Sequence, residues 1–498
     1  MRKTYRPTPL LLAIDQGSSS SRAILFELNG KVVAAASEPL STFTPKPDRV
    51  EHDPEEILAG QMAALRRVIR RAPRNRAIAC MGIANQRSTL VLWRRRDGAP
   101  LGPAISWQDR RTSSICRTMQ KNAPVIGEKT GLRLSPHYAA SKLTWLLSTN
   151  RSIRRRLENG ELLCGTVNSF LIWHLTGGNS YLTDHTNAAR MLLMNLDTLE
   201  WDPELIGLFG LSESFLPEPR PTFSDFGTAQ IEGRTVPIRC SIGDQQAALL
   251  GQGCCRPGEA AINYGTGAFF LLHTGGKIRR RPGLLTSIAS SDANGADYLL
   301  EGTVNAVGSL LDWMRNLVGL PKGVLPDAAC QSSARKKGSR RGPGPILVPA
   351  LRGLGAPHWL DRVPSFLTGL GEGTRREDLF RCAVESVAYL IRDIHEAMGS
   401  RCPSPKVIRV GGGISKIDYL LQFQANLLQI PLQRSDDEES TARGAAIGAA
   451  VGAGLVPISS VRPPERETIF RPILSRSKST DLYGEWKRTL RMAKRFRR

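Results

Sequence analysis

No run of 18 apolar residues occurs anywhere in this 498-residue chain, which excludes a polytopic membrane protein. The apolar stretch near the N-terminus, Leu10 to Ile14, is far shorter than a secretory signal's core, so a cytoplasmic protein is expected. Cysteines number nine, an odd and scattered set with one vicinal pair, Cys254-Cys255. There is no C-x-x-C and no histidine pair at zinc-ligand spacing, which argues against a disulfide framework and a zinc site alike. The thiols are expected to be buried and inert. Aromatics make up only 6% of residues, and G-x-x-x-x-G-K-[ST] is absent, which excludes a P-loop NTPase. Acidic residues are scarce relative to basic ones, 45 Asp+Glu against 68 Lys+Arg, for a formal charge of +23. Such an excess would suit an anionic partner. The arginine runs, however, at Arg66-Arg67, Arg70-Arg71, Arg94 to Arg96 and Arg154 to Arg156, have few aromatics among them. That is the pattern of a solvated surface, so no specific nucleic-acid partner and no membrane insertion are expected.

What the chain does have is alternating strand and helix patterns, which imply an α/β architecture. From Leu10, two apolar runs flank a Gly/Ser turn and a third follows Asn29-Gly30, an antiparallel meander. Leu58, Met62, Leu65 and Ile69 mark one face of a helix over 54–71, and Ile78 to Ile83 reads as a strand. The same grammar restarts near Gly258, with strands Glu259 to Tyr264 and Ala268 to His273 around Gly265-Thr266-Gly267. Thr374-x-x-Glu377 reads as a capping box opening a helix. A strand from Lys406 runs into Gly411-Gly412-Gly413, and helices follow over 419–429 and 444–454. Two related lobes result, 1–250 and 251–498. The segment Ala334 to Pro345 reads as a basic surface loop, and Lys487 to Arg498 as a basic amphipathic tail.

Four sites could carry chemistry. In Asp15-Gln16-Gly17-Ser18-Ser19-Ser20-Ser21-Arg22, backbone N–H groups and hydroxyls can converge on an anion, Asp15 can hold Mg²⁺ through water, and Arg22 can meet a phosphate oxygen. A polar hairpin turn is the plainer reading of the same residues. Asp244, in Gly243-Asp244-Gln245-Gln246, follows a strand where a carboxylate can take a hydroxyl's proton or simply cap the next helix. The turns Gly265 to Gly267 and Gly411 to Gly413 can approach a nucleotide, or merely join strands.

The order of these four sites resembles that of the FGGY carbohydrate kinases, and most of all the branch that phosphorylates glycerol. The likeness runs from Leu10 to about Arg471 and takes in Val50 to Pro54, Asn85-Gln86-Arg87, Ser106 to Arg111, Ser141 to Trp145, Thr183 to Ala188 and Gly353 to Pro357. It implies two actin-like (ribonuclease H-like) lobes with an ATP and substrate cleft between them. It also implies an ATP- and Mg²⁺-dependent kinase of a small polyol, glycerol first among them; self-association is compatible with it. By the resemblance, Ser18, Ser19, Ser20 and Arg22 form the phosphate turn; Thr266, Gly308, Asp312 and Gly413 face the nucleotide, and Asp15 the metal. Arg87, Ser88, Trp107, His137, Asp244 and Gln245 form the polyol pocket, with Asp244 as catalytic base.

Several of these positions depart from the glycerol-specific pattern. Glutamate is usual at Ser88, tyrosine at His137, glutamine at Asp312, and an Asp-Gly-Gly turn at Gly411 to Gly413, followed by an asparagine at Ile417. Losing the glutamate removes an anionic acceptor for a substrate hydroxyl, which changes discrimination among polyols. Three outcomes are open: glycerol phosphorylation retained, a different polyol or sugar preferred, or a non-catalytic scaffold built on the kinase fold.

Overall fold

The computed structural model describes residues 8–321, 323–334, 344–435, 439–464 and 467–496. Most of the basic segment 334–345 lies outside these residues. The first sheet has six strands in the order Thr228–Ile231, Arg234–Gly243, Ile78–Asn85, Leu10–Gln16, Ser20–Glu27, Val32–Pro39. Leu10–Gln16 runs parallel to Ile78–Asn85, which runs parallel to Arg234–Gly243, while the meander strands are antiparallel. The register sets Gln16 and Gly243 on either side of Asn85. Three carboxyl-terminal strand ends therefore open at one level, where ligands bind in α/β sheets.

The second sheet repeats the plan with seven strands: Leu285–Asp292, Gly295–Val304, Ala268–Gly275, Ala260–Tyr264, Ile408–Gly411, Leu432–Ser435 and Glu467–Phe470. Ala260–Tyr264 pairs antiparallel with Ala268–Gly275 and parallel with Ile408–Gly411, as Leu10–Gln16 does with its two neighbours. A smaller five-stranded sheet, reaching from Phe43–Lys46 to Leu162–Thr166, carries the loop with Trp107.

Helix Pro54–Arg71 begins where Asp53 accepts from the Glu55 N–H at 2.9 Å and Pro54 occupies the first turn, whose own N–H would have no helical partner. Its buried face is Ile57, Gln61, Ala64, Leu65 and Val68, with Leu58 and Met62 at the edge, so the apolar stripe is rotated from the expected one. The helix expected from Thr374 starts at Arg376 instead. Asp378, not Glu377, accepts from the cap N–H of Arg375 at 2.9 Å, and the Thr374 hydroxyl accepts from Gly371 N–H. The C-terminal basic tail is the end of a docked helix, Arg476–Arg495, which buries Tyr483, Trp486, Leu490 and Ala493 in the second lobe's core.

Helix Ser440–Gly452 lies between two strands of the second sheet in sequence, Leu432–Ser435 and Glu467–Phe470, but packs on the first. Ala442, Ala445, Ala446, Ala449 and Ala450 share a core with Leu11, Ala13, Cys80, Cys240 and Ile242. A Cβ on Gly444 would stand 1.8 Å from the Ala247 carbonyl oxygen, so only glycine permits this approach to helix Asp244–Gly251. All nine cysteines are free and buried, in keeping with the inert thiols expected.

Candidate active site

The mouth of the first sheet gathers the expected phosphate turn and polyol residues. Asp15 and Gln16 end one parallel strand, Asn85 ends the next, and Gly243 ends the third, delivering Asp244 at the start of helix Asp244–Gly251. Asp244 Oδ1 accepts from the Gln245 N–H at 2.8 Å and lies 3.3 Å from Arg87 Nε. Burial raises the Asp244 carboxyl above its usual range, Arg87 opposes that, and the nearby Asp15 charge adds to it. A carboxylate poised upward in this way is a better base than a solvated one.

Asp15 is itself buried and raised by that burial, against the pull of Arg22. Arg22 is held between two carboxylates, Asp15 and Glu439, the latter at 2.9 Å. Its charge is thus already shared, and a phosphate would compete for it. Ser18 joins the two halves of the site: its Oγ accepts from Trp107 Nε1 at 3.0 Å and donates to Gln86 Oε1 at 3.3 Å. Ser19 is exposed on the same turn, and the Ser20 carbonyl accepts from Gly17 N–H at 3.0 Å. The Trp107 ring lies 5.4 Å from the His137 ring, which lies 4.9 Å from Tyr138. Burial together with the charges of Arg190, Lys142 and Arg87 holds His137 well below the usual imidazole range, so this ring is neutral. Ser88 is fully buried, has φ of 66°, and donates its hydroxyl to the Arg190 carbonyl at 3.1 Å.

The second sheet supplies a cradle of exposed backbone. The Val307 N–H donates to the Thr266 carbonyl at 2.7 Å, and Gly308 N–H to the Gly265 carbonyl at 3.1 Å. A Cβ on Gly308 would meet Gly265, Thr266 and Ile414, so all three turns converge at this point. Gly412 has φ of 87° and no room for a Cβ, which would lie 2.2 Å from the Tyr264 oxygen; beside it, Gly413 faces open space. Asp312 lies exposed one helical turn beyond Gly308. Gln245 spans to this side, accepting from Asn263 Nδ2 at 3.5 Å.

With this geometry, the N-terminal domain of the FGGY carbohydrate kinases matches residues 10–251 and the C-terminal domain matches residues 260–453. The chain belongs to the FGGY family of carbohydrate kinases. It is 42% identical over 492 residues to a glycerol kinase of Thermus brockianus, covering 97% of this chain and 98% of that one. It is 40% identical over 498 residues to a glycerol kinase of Polaromonas naphthalenivorans, covering 97% and 98%. In structure it resembles the glycerol kinase of Plasmodium falciparum with ADP, at a TM-score of 0.90 and 29% identity over 98% of both chains. The fold is therefore the two-lobed actin-like arrangement of the FGGY kinases.

Three residues of the site were not singled out from the sequence. Glu301, in strand Gly295–Val304 of the second sheet, accepts from Arg87 Nη1 at 3.2 Å and from Arg190 Nη1 and Nη2, each at 3.2 Å. Both arginines hold Glu301 below its usual range despite complete burial. Lys142 is equally buried and donates to two backbone carbonyls. The available signal was a lone charge within an apolar run, Tyr298-Leu299-Leu300-Glu301, since an unpaired carboxylate is not buried. His52 and His185 make structural contacts: His52 Nδ1 lies 3.0 Å from the Ser41 carbonyl and His185 Nδ1 3.0 Å from Ser291 Oγ.

Proposed function

We propose that this FGGY kinase transfers the γ-phosphoryl group of ATP to a terminal hydroxyl of glycerol, giving glycerol 3-phosphate and ADP. The observation that carries the reading is Asp244. It stands at the carboxyl end of the central parallel strands, raised by burial, tethered by Arg87, with its neighbour Gln245 reaching the nucleotide-side strand. The glycerol kinases of Thermus and Polaromonas, similar over nearly the whole chain, supply the substrate.

In the proposed reaction Asp244 takes the hydroxyl proton as the substrate oxygen attacks phosphorus. The new O–P bond forms while the bond to the β-phosphate oxygen breaks, and the electron pair leaves with ADP. Phosphoryl transfer needs positioning and charge neutralisation more than covalent help, so one carboxylate suffices. Arg87 orients Asp244 and lies within reach of the polyol, while Trp107, fixed by Ser18, offers an apolar wall to its carbon chain. Thr266, Gly308 and Gly413 would hold the nucleotide on exposed backbone, with Asp312 at the edge.

Among the described residues no cluster of three or more His, Cys, Asp or Glu could hold a metal. That fits Mg²⁺, which binds one or two carboxylates, water and substrate phosphates instead of a protein cage. Asp15, buried beside Asp244 and oriented by Arg22, would be that carboxylate, and the ion would neutralise charge on the phosphates. Ser88 and His137 favour a second reading on substrate choice: the missing glutamate removes an anionic acceptor for a substrate hydroxyl, and the neutral imidazole of His137 offers one donor and one acceptor in its place. Steady-state kinetics on glycerol, erythritol, xylitol and D-xylulose decides. Glycerol as the best substrate supports the first reading, and a higher kcat/KM for a longer polyol supports the second.

A further inference from the structure

Lys142 lies in the first turn of helix Ala139–Thr149 and is completely buried. Both features oppose a cation there, because burial penalises an ammonium and the positive end of the helix dipole repels it. Its Nζ donates to the Ser88 carbonyl at 3.0 Å and to the His137 carbonyl at 2.7 Å. Ser88 and His137 are the two pocket positions where this chain departs from the glycerol-specific pattern, and they are 49 residues apart in sequence. One ammonium thus fastens both turns. The Ser88 turn is the less comfortable of the two, with a left-handed φ at a residue that is not glycine.

We infer that Lys142 is a positioning residue of the polyol pocket: its Nζ ties the Ser88 turn to the His137 turn and so sets the pocket's width and its choice among polyols. The inference rests on the polyol-kinase reading above. The charged and titratable groups facing Lys142 are Asp109 and Arg111 from the loop after Ile105, Cys116 from helix Ser113–Thr118, and His137. Asp109 favours the charged form and Arg111 opposes it, but burial dominates and brings Lys142 down to about 7. Hydrogen bonds from an ammonium to carbonyls are stronger than those from an amine. As pH rises through this range the clamp slackens, and the polyol KM rises with it.

The test compares Lys142→Met, which removes the donors, with Lys142→Gln, which keeps a neutral –NH₂ donor. For Lys142→Met the glycerol KM is expected to rise by about tenfold or more, the effect of losing a charge-assisted bond, while the ATP KM stays within about twofold. Lys142→Gln is expected to restore most of the glycerol KM and to abolish its rise between pH 6 and 8.5. Equal rises in both KM values, no rise in either, or a glutamine variant no better than methionine would overturn the inference. ADP binding by calorimetry reports whether each variant is folded. Should Lys142→Met fail to fold, the pH dependence of glycerol KM in Lys142→Gln decides alone, and persistence of the wild-type slope refutes the role. Should wild-type protein phosphorylate no polyol, the function reading fails first. Calorimetric binding of glycerol to wild type and Lys142→Gln between pH 6 and 8.5 then judges the clamp by the same criterion, and no pH-dependent difference refutes it.

Discussion

Replacing Glu301 by glutamine removes the one carboxylate shared by two buried arginines. The side chains of Glu301, Arg190 and Arg87 are 1%, 2% and 6% exposed, so solvent cannot replace what is lost. Arg87 retains Asp244 at 3.3 Å and Gln246 Oε1 at 3.2 Å, but Arg190 loses the carboxylate it pairs with, and among the described residues its Nε already has no acceptor. Breaking one side of a buried pair costs about 3–5 kcal/mol, much of it for the charge left behind. At roughly 2–4 °C per kcal/mol for units of 150–250 residues, the melting temperature falls by about 6–20 °C. The sign of the pH dependence follows from the depressed Glu301 carboxyl: its stabilisation is present above the unfolded value of 4.5 and is lost as pH falls through the folded value. The gap between wild type and Glu301→Gln is therefore full at pH 7.5 and narrows below pH 4.5. The double variant Glu301→Gln/Arg190→Met removes both charges and is expected to recover most of the loss. Differential scanning fluorimetry of the three proteins measures this. A shift under about 2 °C for Glu301→Gln, or a double variant no more stable than the single, would refute the reasoning.

His185 is pushed down to about 4 by burial, so its neutral form supports the fold. That contribution is full above pH 6.5 and is lost as pH falls from 6.5 towards 4, amounting to about 3 kcal/mol at most. Urea midpoints at pH 7.5 and 5 should diverge less in His185→Asn than in wild type, and an unchanged divergence would remove His185 from the account. In Gly444→Ala the new methyl would meet the Ala247 carbonyl, which is helix backbone and cannot turn away. Overpacking of this kind costs about 1–3 kcal/mol or more, so a melting temperature equal to wild type would contradict the close helix approach.

Local pattern made most of the scaffold legible. The meander after Leu10, the strand–turn–strand around Thr266 and the glycine turn after Val410 all follow from spacing of apolar residues and glycines. The order of the motifs, through the resemblance to the FGGY kinases, assigns Asp15, Arg87, Trp107 and Asp244 to one cleft. What stayed hidden was long-range. Glycines and alanines in Ser440–Gly452 announce close packing without naming the partner, which is the opposite lobe's sheet. Glu301 and Arg190 are 111 residues apart, and neither position alone shows that the other will neutralise it. Arg22 also pairs with Glu439, 417 residues away, a contact that no local pattern shows. The arginine runs are partly paired surface groups, as Arg70 with Glu232 and Arg94 with Asp97 illustrate.

The most direct test of the central claim is phosphate transfer from ATP to glycerol by wild type and Asp244→Asn, with nucleotide binding measured in parallel. The account predicts Mg²⁺-dependent formation of glycerol 3-phosphate by wild type, a fall of about 10²–10⁴ in kcat for Asp244→Asn, and unchanged ATP affinity. An Asp244→Asn enzyme that phosphorylates glycerol at the wild-type rate would contradict it.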